Sequence, residues 1–313
     1  MALHRYRAYG LEIASEIEIP VFAPGNSGHA DVEILLAPIA SRPEGAEAMR
    51  FRNWIARPGM MVLDVPDLAR FRIEDGQRIY VDPAAGRTPD EAVPHLQGSA
   101  LAALLQQRRQ LPMHAGSIET SRGAVLLIGT SGVGKSTLTN AFVQRGYRMM
   151  GDDVTPVSID EAGNPQAVSG FPASRLWRDS AQYFGHDVSL LTKAHGDLEK
   201  YYVVPDEWCD RTLPVAAVVV LHAAGNGEAR IEEIEPSERM KWLLRYSFRK
   251  KFLTGFRLND MQFRTVSAMA ARSRIVRLVR PSKGAPAATL AHLLEDALAL
   301  EPAAKSERVS ESG

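Results

Sequence analysis

The chain has 313 residues, and its 37 Lys and Arg balance 37 Asp and Glu, so it has no formal net charge at pH 7. This balance provides no general attraction to nucleic acid or to a membrane surface. A single cysteine, Cys209, excludes an internal disulfide, and no apolar run approaches the roughly 18 residues of a spanning helix. These properties predict a cytoplasmic globular protein with room for two domains.

Short strand-like runs separated by turn signals occupy the first hundred residues. The runs are Tyr6–Leu11, Ala30–Leu36, Met60–Val65, Ala69–Glu74 and Gln77–Val81. Asp75-Gly76 is a strong hairpin signal between the last two. The pattern predicts a small, antiparallel, β-rich N-terminal domain over residues 1–105, including a bridging helix. Its role is open between docking a partner and covering one side of the remaining chain.

The bridging helix is marked by its first turn. Thr88-Pro89-Asp90-Glu91 has the capping-box spacing, and the helical pattern continues through Leu101 to Arg109. Met113-His114-Ala115-Gly116 then precedes the next apolar run. From residue type alone, a histidine in such a setting packs in a core more often than it catalyses.

A glycine-rich segment follows an apolar strand, Ala124–Ile128, and precedes a helical pattern. The segment is Gly129-Thr130-Ser131-Gly132-Val133-Gly134-Lys135-Ser136-Thr137. In this strand–loop–helix context it predicts a P-loop, whose backbone N–H groups point at phosphate oxygens. Lys135 supplies a positive charge to the β- and γ-phosphates, and the Ser136 hydroxyl is placed to bind Mg²⁺. The sequence therefore predicts binding of Mg-ATP.

Two adjacent carboxylates follow the predicted P-loop helix. That helix is expected to end at Gly146, and the next strand leads into Asp152-Asp153. A later apolar strand, Val215–Leu221, has no acid at its end. Asp152 and Asp153 are therefore the best source of oxygen ligands for Mg²⁺, with a solvated turn as the alternative.

These motifs together resemble the catalytic domain of bacterial HPr kinase/phosphorylase and its HPr-kinase-like relatives. The resemblance depends on the P-loop, on Arg145-Gly146-Tyr147 and on Asp152-Asp153, and it is close over residues 110–225. It implies an α/β fold, with a P-loop kinase core of the HPr kinase / phosphoenolpyruvate carboxykinase type over residues 106–302. The remaining residues, 303–313, are polar and predicted to be a disordered tail.

The resemblance also implies roles for individual residues. His114 fills the place of a family histidine before the P-loop strand and is expected to be catalytic. The family pattern makes Asp152 the base and Asp153 the metal partner beside Ser136, although sequence alone does not separate the two neighbours. Thr137 stands where the HPr enzymes have Glu, and their Gly-Leu-Gly-rich signature is missing. HPr is therefore not the expected acceptor, and a serine on a peptide precursor is one alternative.

Arg175 is the arginine expected to assist phosphoryl transfer. It lies in Ser169–Trp177, and relatives have a similar Arg-Leu-Trp segment. An arginine neutralises charge on the equatorial oxygens by bidentate contact, whereas the alternative role is a surface salt bridge. Lys200 begins a predicted strand and ranks below Arg175 as a phosphate contact.

Positive charge is concentrated in residues 239–280, which contain twelve Lys or Arg and a single acid, Asp260. Lys241, Arg245 and Arg249 have i, i+4 spacing and predict one basic helix face. Such a face can be solvated, pack in a homo-oligomer, or dock the N-terminal module or an acidic substrate. No nucleic-acid-reading motif accompanies it.

The combined features predict a kinase that transfers the γ-phosphate of Mg-ATP to a serine hydroxyl of a protein or peptide. A small-metabolite kinase and a non-catalytic nucleotide-binding sensor are the alternatives. Neither the Asn-Lys-x-Asp sequence of GTPases nor the Ser-Gly-Gly-Gln signature of ABC-type ATPases occurs. The identity of the acceptor and any phosphorolysis activity are not readable from the sequence.

Overall fold

The computed structural model describes residues 3–40, 48–194, 198–225, 227–282 and 285–304. Nine strands of the described N-terminal residues form one sheet, in the order β3-β1-β2-β4-β9-β8-β7-β6-β5. They are β1 His4–Ala8, β2 Leu11–Ser15, β3 Ala23–Pro24, β4 Val32–Leu36, β5 Met49–Arg50, β6 Trp54–Arg57, β7 Met60–Val65, β8 Ala69–Glu74 and β9 Arg78–Pro83.

The N-terminal sheet differs from the expected one in two respects. Tyr6–Leu11 is not one strand, because the backbone turns at Tyr9 and Gly10, which have φ of 57° and 67°. This turn makes β1 and β2 an antiparallel hairpin. Strand β4 pairs in parallel with both β2 and β9, so the sheet is mixed rather than purely antiparallel.

The expected bridging helix is present but irregular. It comprises a 3₁₀ turn at Pro89–Ala92, α1 at Val93–His95, a π-helical turn at Leu96–Ala100 and α2 at Leu101–Gln107. The Glu91 carboxylate accepts a 2.8 Å hydrogen bond from the Thr88 N–H, as the capping spacing predicts. The chain leaves the helix before Arg109, whose φ is 60°.

The rest of the chain alternates strands and helices around a second sheet. The strands of this part of the chain are β10 Leu111–Met113, β11 Ala115–Thr120, β12 Gly123–Ile128, β13 Met149–Gly151, β14 Thr155–Ile159, β15 Pro165–Ala167, β16 Ser174–Trp177, β17 Lys200–Val203, β18 Leu213–Ala223, β19 Arg230–Glu233 and β20 Arg274–Arg280. Its helices are α3 Lys135–Gln144, α4 Arg178–Tyr183, α5 Pro236–Arg245, α6 Lys250–Phe256, α7 Asn259–Arg272 and α8 Ala287–Leu298, with a 3₁₀ turn at Val188–Leu190. The chain is thus mixed α/β.

Three parallel strands place the glycine-rich segment at one edge of this sheet. The sheet runs β10-β14-β15-β18-β12-β11-β13, and β20 pairs with β18. Strands β12, β18 and β20 are parallel, so their carboxyl ends open at the same edge. Helices α3 and α8 pack on one face, whereas α5 and α7 pack on the other. β16 and β17 form a separate two-stranded ribbon.

The expected basic helix is interrupted. Helix α5 ends at Arg245 and α6 begins at Lys250, so Arg249 is not on the same helix as Lys241. Between them the backbone pairs with the start of the second sheet, because Phe248 N–H donates to Pro112 O and Tyr246 O accepts from His114 N–H, each at 2.8 Å. The prediction of one continuous basic face was therefore wrong.

The N-terminal sheet packs directly on the following chain. The rings of Trp54 and Phe252 meet edge-to-face at 5.2 Å, and Gly255 packs closely enough on Ala56 that a side chain there would collide. The division at residue 105 stays a prediction. Residues 305–313 of the predicted tail lie outside the described residues. No described helix is long and apolar enough to cross a membrane.

Candidate active site

The glycine-rich segment forms a tight loop between β12 and α3. Gly132 and Gly134 have φ of 80° and 101°, which side-chain-bearing residues rarely adopt. A Cβ at Gly129 would lie 3.0 Å from the Leu221 carbonyl oxygen of the neighbouring strand. The glycines therefore permit both the turn and its close approach to β18, and Lys135 begins the helix that follows.

Lys135 is drawn into the loop rather than extended into solvent. Its Nζ donates to the carbonyl oxygens of Gly129 and Thr130, at 3.0 and 3.2 Å. It also lies 3.0 Å from His114 Nε2. Burial lowers the pKa of Lys135, against the opposing charges of Asp153 and Asp152. The ammonium is thus held at the centre of the candidate site, with two carboxylates nearby.

His114 links Lys135 to Asp153. Its Nδ1 lies 2.9 Å from the Asp153 carbonyl oxygen and 3.3 Å from Asp153 Oδ1. Both oxygens accept, so Nδ1 carries the proton and the Nε2 lone pair accepts from Lys135. Burial and the Lys135 charge lower the pKa of His114, which keeps this neutral form. The ring also stacks on Phe248, at 5.8 Å between centroids.

The two neighbouring aspartates face different surroundings. Asp152 is buried, its Oδ2 accepts a 2.9 Å hydrogen bond from the Arg175 N–H, and its Oδ1 has no hydrogen-bond partner. Burial, together with the Asp153 charge, raises the pKa of Asp152, while a hydrogen bond from Ser136 opposes the shift. Asp152 is thus a buried carboxylate near the Ser136 hydroxyl, with one oxygen, Oδ1, that has no hydrogen-bond partner.

Asp153 is open to the cavity instead. Its φ of 70° is left-handed, and its side chain remains 35 % exposed. Oδ1 faces His114, and Oδ2 lies 3.6 Å from Arg175 Nη1. Arg249 contributes a further positive charge in the same neighbourhood. Asp153 is therefore an accessible carboxylate surrounded by cationic and hydrogen-bonding groups.

These residues line a cavity of about 220 Å³. Its lining includes ten of the fourteen residues selected from the sequence: His114, Ser131, Gly132, Gly134, Lys135, Ser136, Thr137, Asp153, Arg175 and Lys200. Thr130 and Val133 line a neighbouring cavity instead. Asp152 lies behind this lining, where it meets Arg175 and Ser136. The Lys200 ammonium lies 4.8 Å over the Trp177 ring. Arg175 and Lys200 are thus both cavity residues.

Arg280 also lines the cavity, and sequence reasoning missed it as a site residue. Its guanidinium Nε and Nη2 donate to the Val133 carbonyl oxygen, at 3.2 and 3.1 Å. The available signal was its place at the end of an apolar-rich run, which forms β20. Only the parallel pairing of β20 with β18 brings that strand end to the loop.

A second cavity, of about 450 Å³, adjoins the other side of the loop. The two cavities share Ser131, Gly132 and Arg280 in their linings. The second is also lined by Trp242 and Tyr246, whose rings are nearly parallel at 6.3 Å. Its lining contains arginine and histidine but no acid, so it suits a neutral or anionic group with flat apolar surface.

The residues present fit a divalent cation bound together with phosphate. No group of three His, Cys, Asp or Glu among the described residues could hold a metal by itself. Mg²⁺ is usually bound by one or two carboxylates plus substrate phosphates and water. Asp152, whose Oδ1 has no hydrogen-bond partner, provides one such carboxylate, and the Ser136 hydroxyl provides a second oxygen. Asp153, the expected metal ligand, is engaged with His114 and Arg175.

Comparisons with known proteins give limited information. No family model matches the chain, and no curated protein matches it. Among solved structures, the chain is similar to the Hpr(Ser) kinase/phosphatase from Coxiella burnetii, at 14 % identity and a TM-score of 0.32. The match covers 59 % of this chain and 95 % of that one. At this low similarity, function has to be argued from the site itself.

Proposed function

We propose that this chain transfers the γ-phosphate of Mg-ATP to a serine hydroxyl of a protein or peptide. The observation that carries the proposal is the convergence of Lys135, His114, Asp153 and Arg175 on one cavity beside the glycine-rich loop. A nucleotide-binding loop needs its glycines and Lys135. The additional carboxylate and arginine are groups that phosphoryl transfer itself uses, and His114 contacts that carboxylate.

The loop and its cations would bind the triphosphate. Backbone N–H groups of the loop and the N-terminal end of α3 favour phosphate oxygens. Lys135 neutralises charge on the β- and γ-phosphates, and Arg175 lines the same cavity. Because the transferring group spreads negative charge over its equatorial oxygens, positive charge held in place lowers the barrier without covalent chemistry by the protein.

The geometry supports a division of roles between the aspartates opposite to the one that the family resemblance implies. Asp153 is exposed to the cavity, so an acceptor hydroxyl can reach its carboxylate and give up its proton. Asp152 is buried beside Ser136, so it is suited to hold Mg²⁺ directly or through water. Mg²⁺, when bound there, would neutralise phosphate charge. His114 orients Asp153 and stays neutral, because a second proton would repel Lys135.

The acceptor is proposed to be a peptide segment with acidic or neutral residues near its serine. Lys200, Arg175 and Arg280 line the cavity with Asp153, and Arg249 lies over Phe248, which stacks on His114. Such a rim favours an acidic partner and disfavours a basic one. HPr is not expected to be preferred, since the sequence lacks the family's coupling signature.

The second cavity supports one further candidate, a small-molecule kinase. Its volume of about 450 Å³ and its Trp242 and Tyr246 rings could hold a small anionic acceptor instead of part of the nucleotide. A non-catalytic sensor is less well supported, because a sensor needs no positioned base. Acceptor identity distinguishes the two kinase functions.

The direct test uses γ-labelled Mg-ATP with a library of serine peptides, a set of small hydroxyl metabolites and HPr. Serine peptides should be labelled, with acidic peptides preferred, and Lys135→Ala should abolish labelling. Labelling of metabolites alone would select the small-molecule function. Efficient labelling of HPr would overturn the acceptor assignment, and no nucleotide binding would remove the proposal entirely.

A further inference from the structure

Arg175 is held by aromatic side chains that the proposed chemistry does not itself use. Its guanidinium carbon lies 6.0 Å from the ring centroid of Tyr202. Tyr9 is linked to the same part of the chain through the backbone, since its N–H donates to the Gly170 carbonyl oxygen in the segment that precedes Arg175. Both rings are buried, so neither is available as a substrate contact on the surface. Tyr202 therefore contacts the arginine itself, and Tyr9 contacts the segment that precedes it.

Tyr202 is itself fixed from the bridging helix. Its hydroxyl donates a 2.6 Å hydrogen bond to Gln97 Oε1, and both side chains are buried. Gln97 lies in the π-helical turn Leu96–Ala100, an irregularity that is often found at functional positions. The turn therefore places the Gln97 amide of the bridging helix against Tyr202 in the β16–β17 ribbon.

Tyr9, in the N-terminal hairpin, contacts the segment that leads to Arg175. It occupies the left-handed turn between β1 and β2, and its N–H donates a 3.1 Å hydrogen bond to Gly170 O. Its ring meets Phe171 edge-to-face at 6.0 Å. Gly170 and Phe171 begin the segment that leads into β16 and Arg175. Tyr9 thus contacts the backbone that leads into the strand containing Arg175.

We propose that Tyr9, Gln97 and Tyr202 are positioning residues that hold Arg175 toward the transferring phosphate. This inference rests on the proposed function and assigns a role to the N-terminal sheet, which completes the active site. Arginine has a long side chain with high rotamer entropy. Aromatic faces and burial restrict it before the nucleotide arrives, and such preorganisation acts mainly on the transition state.

The test compares variants that remove single contacts. Tyr202→Phe and Gln97→Leu each remove the buried hydrogen bond while leaving the ring over Arg175, and Tyr202→Leu also removes the ring. Tyr6→Phe is the matched control, because the Tyr6 hydroxyl accepts a buried 2.9 Å hydrogen bond from Ile19 N–H and Tyr6 lies in β1 rather than in the β16–β17 ribbon. Thermal unfolding confirms that each variant is folded.

Two readouts separate positioning from simple packing. The first is release of labelled phosphate from γ-labelled Mg-ATP, with water as the acceptor. The second is binding of ADP with and without aluminium fluoride, which mimics the charge of the transferring group and needs no acceptor. Tyr202→Leu should lower kcat about tenfold, within the range for coupled neighbours, with KM for ATP nearly unchanged. It should weaken the aluminium fluoride complex similarly but leave ADP affinity intact.

The double variant with Arg175→Ala provides the decisive comparison. If Tyr202 acts through Arg175, Tyr202→Leu has no further effect in that background. An equal loss in both backgrounds, or a loss in Tyr6→Phe as large as in Gln97→Leu, overturns the inference. Failure of the proposed function looks different, because wild type and Lys135→Ala would then bind ADP with aluminium fluoride equally poorly.

Discussion

Replacing the two aspartates separately by asparagine tests the central assignment. In Asp153→Asn the amide nitrogen must face either His114 Nδ1, 3.3 Å from one carboxylate oxygen, or Arg175 Nη1, 3.6 Å from the other. Both are donors, so the amide loses one of these contacts and also cannot accept a proton at neutral pH. Loss of a positioned base lowers kcat about 10²–10⁴-fold, and we expect the middle of that range.

Asp152→Asn should behave differently. The Arg175 N–H needs an acceptor at Oδ2, so the amide oxygen keeps that position and the amide nitrogen replaces the unpartnered Oδ1. Local structure is then retained, and removing a buried charge should leave Tm unchanged or higher, since burial already raises the pKa of this carboxyl. The variant should need more Mg²⁺ for half-maximal rate, because an amide is a weaker ligand.

The assay is initial-rate labelling across a Mg²⁺ titration, with thermal unfolding of each variant. Asp160→Asn is the control, because Asp160 accepts backbone and side-chain hydrogen bonds from Asn164 in a turn outside the cavity lining. If Mg²⁺ rescues Asp153→Asn but not Asp152→Asn, the assignment of base and metal partner is reversed. If both variants retain wild-type transfer, the aspartates are only a turn.

Three further outcomes follow from the contacts. Lys135→Ala should weaken Mg-ATP binding and transfer by at least tenfold, about 1.4 kcal/mol, as calorimetry and labelling would measure. Arg249→Glu should raise the acceptor KM roughly tenfold, whereas Lys241→Glu should not, because Arg249 lies over Phe248, which stacks on His114 of the site, while Lys241 pairs with Glu238 on helix α5. Glu119→Ala should lower the free energy of unfolding by about 3–5 kcal/mol, since it leaves Arg148 without its 2.6 Å partner; denaturant unfolding measures this.

Local patterns predicted the local parts of the site. The strand Gly123–Ile128, the loop and the helix at Lys135 occur in the expected order, because glycine spacing and apolar periodicity act over a few residues. The helix stops before Gly146, whose φ is 88°. His114 was found only through the family resemblance, since a single histidine has no periodic signal.

Long-range pairing accounts for what the sequence did not predict. Arg280 reaches Val133 across 147 residues, and Tyr9 reaches Gly170 through a hairpin that appeared as one strand. The prediction of one continuous basic helix face was wrong for the same reason. Amphipathic spacing continues through Arg249, but pairing of Tyr246 and Phe248 with the second sheet ends the helix first.

The different environments of Asp152 and Asp153 come from the backbone at one residue. In a regular strand, two neighbouring aspartates would point to opposite faces of the sheet, and the strand would continue beyond them. Here β13 ends at Gly151, and the left-handed φ of Asp153 turns the chain directly after Asp152. The Asp153 carbonyl and carboxylate are thereby both brought to His114, while the Asp152 carbonyl accepts from Val154 N–H at 2.9 Å. Because aspartate tolerates this conformation better than most residues, the paired sequence permits one buried and one accessible carboxylate side by side.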